Sequence, residues 1–427
     1  MKKVQKKLKQ IFQNKELRKK LLFTAAIFFI YRTLANIPLP AIDIDKLGQL
    51  FDSNQFLSLL NIFSGGTLSN FSIAAVGISP YITASIVLQM SAMVFPALKE
   101  MQKDGKAGQE KYNQYTRLLS VPLGVVQSIS VLALLNSQGL IQSRDPLTMI
   151  TMIMSLIAGA MIVMWLGELL SEYGVGNGIS MILFAGIVSQ FPVAVAQAMS
   201  VSSTEQWSTN LIFATLFLAI IALIVYVGEA IRKVQIQYAK RMRGGRTLGG
   251  QVTHLPIKVN VAGVMPIIFA VSLMLAPSFI GNLLISSGDE RFIGWGQNLT
   301  IWFAQTNPIY MISYFVIVFI FTFFSALVFF NADDISKELK KSGAFVPGIR
   351  PGSPTKKYLE YVVTRITLVG AIFLGFIAIM PSLAQLFTGV NSLAIGGTSV
   401  LIVVSVVLET TKQVESMLVG QNYDQYA

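Results

Sequence analysis

The chain reads as an all-α polytopic membrane protein of ten transmembrane helices, and three observations carry that reading. Of its 427 residues, 53% are hydrophobic and only 13% are charged, about half the roughly 25% of soluble domains. The apolar residues gather into ten windows, each close to the ~19 residues that mark a membrane-crossing helix. Lys and Arg crowd alternate connections between those windows, as positive-inside topology requires.

Residues 1–20 form a basic segment with nine Lys/Arg before Leu21. No small-residue cleavage site follows the first apolar run, so this is read as a retained cytoplasmic segment and not a signal peptide. The spans then run Leu21–Ile37, Phe71–Phe95, Leu118–Asn136, Leu147–Leu169, Ile179–Ala198, Leu211–Gly228, Val261–Leu284, Ile309–Phe330, Ile366–Leu383 and Thr398–Val414. Arg32, near the outer end of the first span, can snorkel to headgroups or pair structurally. An interrupted stretch precedes the second span. Its apolar run Phe56 to Phe63 is too short to cross, and Gly65-Gly66 and Ser69-Asn70 break it. Phe71 to Phe95 is then long enough at about 1.5 Å per residue. Irregular backbone at membrane depth survives only where it is buried in protein or lines a water-filled cavity. The stretch is either a segment folded into a pathway or a re-entrant loop that only packs.

The charges orient the spans. Lys99, Lys103, Lys106 and Lys111 follow span two, Arg232 to Lys258 follow span six, and Lys337 to Lys357 follow span eight. The opposite loops carry Lys46, Arg144 and Arg291 against Asp43, Asp45, Asp52, Asp145, Asp289 and Glu290. Both termini, including the tail 415–427, are therefore expected in the cytoplasm. The net charge of +12 is topogenic and implies no direct nucleic-acid substrate. Two halves of five spans, 21–200 and 201–414, must run in opposite directions because five is odd, although no residue-level repeat marks them.

Two cytoplasmic connections exceed what topology needs. In Lys233–Lys258, Val234, Ile236 and Tyr238 alternate with polar residues before a Gly-Gly turn, the pattern of a strand. Lys240, Arg241, Arg243 and Arg246 lie in the same loop. In Asn331–Tyr361, an amphipathic helical stretch leads into a turn stiffened by Pro347, Pro351 and Pro354. Stiff, basic, exposed loops suit docking of a cytoplasmic partner, the alternative being topogenic loops with none.

The interior limits the chemistry. Cysteine is absent and His254 is the only histidine, which excludes thiolate sites and a histidine metal cluster within one chain. Glu168, Glu172, Glu229 and Glu409 sit at span edges, and no carboxylate pair occupies a midplane. That disfavours a proton- or sodium-coupled secondary transporter. No catalytic constellation or phosphate loop is present, so no reaction and no cofactor is expected. Ile78 and Ile82 share a helix face, as do Ile179 and Leu183. Core packing explains such pairs in most proteins, and a pore lining is the other reading. Thr83 and Gln127 are polar groups in apolar spans that need partners.

Long blocks in fixed order resemble the SecY family, central subunits of the bacterial protein-conducting channel, over nearly the whole chain. They are NIFSGGTLSNFSIAAVGISPYITASI, KAGQEKYNQYTR, MWLGELLSEYGVGNGIS, QYAKR with THLPIKVNVAGVMP, KSGAFVPGIRPGSPT, and GGTSVLIVV. The resemblance implies an hourglass channel of two inverted, pseudo-symmetric halves hinged between spans five and six. It makes the interrupted stretch a re-entrant plug helix, Leu57 to Asn70, including Asn61, Phe63, Ser64, Gly65 and Gly66. It makes Ile78, Ile82, Ile179, Leu183, Ile268 and Ile402 a pore ring, with Leu183 where isoleucine is usual. A lateral gate between span two and spans seven and eight would carry Thr83, Gln127 and Ser272.

The cytoplasmic loops, about 233–258 and 331–361, would dock the ribosome and the motor ATPase SecA, Arg350 of GIRPG foremost. SecE and SecG are the implied small subunits, signal peptides and nascent chains the cargo, and lipid of the bacterial plasma membrane the lateral exit. The physics suits such a role. A pore for arbitrary sequences cannot rely on fixed charges, whereas branched aliphatics seal by dewetting and yield around a chain.

Overall fold

Asn14 starts the first helix. Its side-chain oxygen accepts from the backbone N–H of Glu16 and Leu17 at 3.1 and 3.3 Å, satisfying donors that a helix start leaves orphaned. That helix, α1 (Lys15–Leu34), has Glu16 in its first turn and Arg32 in its last, the sense the helix dipole favours. Arg32 Nη1 donates to Ser189 Oγ at 3.1 Å, so structural pairing is the reading realised.

The computed structural model describes residues 14–39, 67–68, 71–137, 141, 145–200, 207–238, 241–243, 246–248, 252–261, 263–286, 290–304, 307–388 and 397–424. After α1 the chain runs α2 (Ser79–Val94), α3 (Pro96–Lys103), α4 (Gly105–Ser137), α5 (Pro146–Tyr173), α6 (Gly178–Ser200) and α7 (Trp207–Glu229). Strands β1 (Ile231–Tyr238), β2 (Arg241–Arg243), β3 (Arg246–Leu248) and β4 (Val252–Lys258) follow. Then come α8 (Met265–Ser286), α9 (Glu290–Trp302), α10 (Pro308–Phe329), α11 (Ala332–Lys341), β5 (Ala344–Phe345), α12 (Ser353–Thr388) and α13 (Gly397–Asp424). A helix stands at each predicted window. Among the described residues, four helical segments are long and apolar enough to cross a membrane by length and composition alone. They become five if the α2–α3 pair, bent by 112°, counts as one.

The second predicted span begins late. Residues 71–78 are turns, and α2 starts only at Ser79, with Pro80 in its first turn. The turns form a buried knot. Thr67 Oγ1 donates to Ala74 O at 2.8 Å, and Ser72 Oγ and N–H both donate to Thr67 O. Leu39 N–H donates to Phe71 O and Ile73 N–H to Ile37 O, each at 3.0 Å, which ties the knot to the end of α1. Phe71 at φ 38° and Gly77 at φ 57° take left-handed backbone that a helix cannot contain. Leu68, Phe71, Ala75 and Val76 then pack with Leu132, Leu135, Met152 and Leu156 of α4 and α5.

The sheet joins the two long cytoplasmic loops. β1 pairs antiparallel with β4 from Ile231↔Lys258 to Gln237↔Val252, and its far end pairs with β5 through Gln237↔Phe345 and Tyr238↔Ala344. Val234 and Ile236 are buried as their alternation predicts, while Tyr238 is exposed. Val234 and Ile257 pack with Ala332 of α11, Val346, and Leu359 and Val363 of α12. The loops are thus one rigid unit built onto α12, which continues without a break into the helical bundle.

Candidate pore constriction

The six predicted ring residues all belong to, or pack against, the large central apolar core. Ile78, Ile82, Leu183, Ile268 and Ile402 are between 1% and 7% exposed, and half-buried Ile179 packs against them. All lie at helix beginnings. Ile78 caps α2, and Ile82 N–H donates to its carbonyl at 3.1 Å, so the two are one turn apart. Ile179 and Leu183 belong to the first turns of α6, Ile268 to that of α8, and Ile402 to the second turn of α13.

Glycines sit at the close approaches of these helices. A Cβ on Gly167 of α5 would lie 3.2 Å from Ile182 Cδ1, 3.5 Å from Ile78 Cδ1 and 3.7 Å from Ile179 Cγ1. Ile78 of α2 and Ile179 and Ile182 of α6 thus approach the α5 backbone at the same residue, Gly167. One on Gly178 would lie 1.8 Å from Gly167 O, so α6 starts against the α5 backbone. Ser171 Oγ accepts from Gly178 N–H at 2.8 Å and fixes that start. Val175 N–H donates to Thr24 Oγ1 of α1 at 3.3 Å. The GELLSEYGVGNG run carries this information, and its glycine density was the available signal.

A cavity of about 300 Å³ with a mixed lining lies near these helix starts. Asn177 and Ser180 at the head of α6, Asn260, Val264 and Met265 at the head of α8, Ser405 and Glu409 of α13, and Phe329 line it. At the head of α6, Asn177 and Ser180 precede Leu183, on α8 the lining residues precede Ile268, and on α13 Ser405 and Glu409 follow Ile402. α13 must therefore run opposite to α6 and α8, as spans ten, five and seven of an alternating bundle do. Asn260 Nδ2 donates to Gly263 O at 2.9 Å, and Gly263, at φ 64°, turns the chain from β4 into α8. Among the described residues no cluster of His, Asp and Glu could hold a metal.

α8, which carries Ser272, packs on α2 and α4, which carry Thr83 and Gln127. Thr83 Oγ1 donates to Ser79 O at 3.0 Å and Ser272 Oγ to Ile268 O at 2.9 Å. Both hydroxyl hydrogens are spent within their own helices, not between helices. Gln127 is half-buried on α4. The plug residues Asn61, Phe63, Ser64, Gly65 and Gly66 lie outside the described residues, as does Lys240. Of the predicted plug stretch, Thr67 and Leu68 are described, and both are buried in the knot.

Arg241, Arg243 and Arg246 lie on the antiparallel β2–β3 ribbon, with Arg243 opposite Arg246. Arg350 is exposed on a turn between Gly348 at φ 81° and Gly352 at φ 102°. Thr355 Oγ1 donates to Arg350 O at 2.8 Å and Ser336 Oγ to Gly352 O at 2.7 Å. Asp333, beneath this turn, pairs with Lys337 and Lys356 at 2.5 and 3.5 Å. Lys337 foremost holds its carboxyl below the usual carboxylate range.

The family model described as SecY matches residues 72–411. A protein translocase subunit SecY of Streptomyces galbus is 41% identical over 430 residues, covering 97% of each chain. Among solved structures, a SecY whose plug domain stabilises the closed state of the translocation channel matches with TM-score 0.64 at 18% identity. That match covers 93% of this chain and 92% of the other. Sec61 in a canine ribosome–channel complex from the endoplasmic reticulum matches with TM-score 0.60 at 19% identity, over 93% and 92%. At these identities the solved structures speak for the fold, and the family match together with the Streptomyces relative decides the family. The chain belongs to the SecY family of protein translocase subunits, multi-pass membrane proteins that form a protein-conducting channel and catalyse no reaction themselves.

Proposed function

We propose that the chain conducts unfolded secretory proteins across the bacterial plasma membrane and releases hydrophobic segments sideways into lipid. Its ten spans form two inverted halves of five, hinged between α6 and α7, with both termini cytoplasmic. Leu57 to Asn70 is the plug, and the lateral gate lies between α2 on one side and α8 and α10 on the other. SecA and the ribosome dock on the joined cytoplasmic loops, and SecE and SecG complete the assembly. The observation that supports this reading is the family match, together with six uncharged aliphatic residues near the starts of four helices in the central core.

The test is at the ring. Replacing Ile78, Ile82 or Ile402 with Asn forfeits about 1.5–3 kcal/mol of apolar burial. It also leaves an amide unsatisfied among aliphatics, at about 1–3 kcal/mol. Both losses fall on the closed state, so the expected results are higher ion conductance of idle channels and acceptance of weaker signal sequences. Unchanged conductance and unchanged signal discrimination in all three variants would refute the ring.

The gate gives a second expectation, with an order to it. Gln127→Leu should shift the hydrophobicity at which a test segment enters lipid more than Thr83→Val does. The reason is that the Thr83 hydroxyl hydrogen is already satisfied by Ser79 O within α2. Insertion of a graded series of segments in proteoliposomes measures this, and a larger shift from Thr83→Val would reverse the assignment.

A further inference from the structure

Helix α9 has no role in the pore, the gate or the docking unit, yet it is firmly built. Its backbone is keyed to α8. A Cβ on Gly296 would lie 2.7 Å from Gly281 O, and one on Gly281 would lie 3.0 Å from Gly296 O. Asn307 holds the other end, its Nδ2 donating to Ile301 O at 3.2 Å while its Oδ1 caps α10 by accepting from Ile309 N–H at 2.9 Å. Phe303, just beyond α9, packs against the central core and fixes the rotation of the helix. Any movement of the outer part of α8 must carry α9 with it.

The face left outside is aromatic. Phe292, Trp295 and Trp302 fall within about 80° of one another around the helix at 3.6 residues per turn. They are 48%, 69% and 46% exposed. Two of the chain's four tryptophans are on this 13-residue helix, and exposed Arg291 flanks them. Gly281 stands about 20 Å along α8 from Ile268 at 1.5 Å per residue. With the ring at the midplane, that height is just beyond the ~15 Å half-thickness of the hydrocarbon, in the headgroup zone. Tryptophan settles at that level, its ring in the acyl boundary and its N–H toward water. The stripe also ends where the exposed apolar face of α10 begins, at Ile309 and Ile312 and onward to Val316 and Ile320. Lipid continuing from one face onto the next is the occupant that this continuity and this composition favour.

We infer that α9 is an anchor in the extracytoplasmic leaflet, seating Phe292, Trp295 and Trp302 at the phospholipid headgroup boundary and thereby restraining α8, the moving side of the lateral gate. The inference rests on the channel orientation proposed above. The test uses the full chain with its partner subunits in proteoliposomes, carrying Trp165→Phe and Trp207→Phe so that Trp295 and Trp302 alone report. Expected are blue-shifted emission and stronger quenching by lipids brominated near the headgroup than by lipids brominated near the chain end, with little quenching by aqueous iodide. Strong iodide quenching without bromolipid quenching would overturn the anchor and leave solvent or a protein partner on that face.

In a second arm, Trp295→Ser and Trp302→Ser free α8, and a segment poised at the insertion threshold should exit to lipid about twofold more often. An unmoved threshold would overturn the restraint on α8. Translocation of a secreted precursor, measured in parallel, reads the channel function separately. Its failure in the parent protein would count against the proposed function, not against the anchor.

Discussion

Alanine at Gly159 is expected to unseat the knot before α2 and open the ring. A Cβ there would lie 2.0 Å from Ile73 O and 2.7 Å from both Ile73 C and Ile73 Cγ2. Two of these three atoms, the nearest included, are backbone, and that backbone is held by Ile73 N–H on Ile37 O and Leu39 N–H on Phe71 O. Overpacking against side chains that can shift costs about 1–3 kcal/mol, and here little can shift, so the cost should reach or exceed the top of that range. Gly178→Ala should be as severe, since its Cβ would meet Gly167 O at 1.8 Å. Gly167→Ala should be mild, because it meets only side-chain carbons at 3.2 Å or more. Gly294→Ala, with nothing within 4 Å, should be silent or slightly stabilising. Thermal unfolding in detergent and ion leak in vesicles should both follow this order. A tolerated Gly159→Ala would mean that the knot is not held as described.

Much of this was visible in the residues, and what was hidden has physical reasons. Hydropathy placed a helix at each window but not the helix ends. α4 and α12 run past the membrane windows because KAGQEKYNQYTR and SPTKKYLEYVVTR form helix readily although they are polar. The opposite error occurred before α2. Phe71 to Gly77 are apolar enough to extend a span, and a hydropathy window cannot tell a buried turn from a buried helix. Gly77 followed by Pro80 was the local cue to a helix start. α9 escaped notice because its apolar residues lie on two narrow faces between glycines.

The site was legible to different degrees. Spacing put Ile78 with Ile82 and Ile179 with Leu183, but it could not join these pairs to Ile268 and Ile402, which are distant in the chain. Family resemblance supplied that grouping, and the single cluster is consistent with it. The strand pattern of Val234 and Ile236 was readable. Its junction with Ala344 and Phe345 was not, because a two-residue strand more than a hundred residues away leaves no local pattern. The partner that Thr83 needs turns out to be local, as it is for Ser272, because a helical hydroxyl finds its own i−4 carbonyl first.

Arg350→Glu is expected to abolish SecA-driven export while leaving ribosome-driven insertion of hydrophobic spans largely intact. The turn that presents Arg350 is clamped from below. Thr355, 1% exposed, holds the Arg350 carbonyl, and Ser336, 3% exposed, holds that of Gly352. The backbone entropy of holding the guanidinium outward is thus spent in folding, before any partner arrives. A fixed guanidinium suits bidentate capture of a carboxylate or paired carbonyls, which an ammonium cannot reproduce. Arg350→Lys should therefore lose part of the export and not merely exchange one topogenic charge for another. Thr355→Val should lose a smaller part without touching the partner, by freeing the turn. Ribosome contact can spread over the basic ribbon of Arg241, Arg243 and Arg246, so loss at one tip weakens it less. Export of a secreted precursor and insertion of a polytopic protein, measured in the same reconstituted vesicles, separate these outcomes. Full export with Arg350→Lys would reduce Arg350 to a topology charge, and equal loss of both activities with Arg350→Glu would indicate a collapsed docking unit in place of a lost contact.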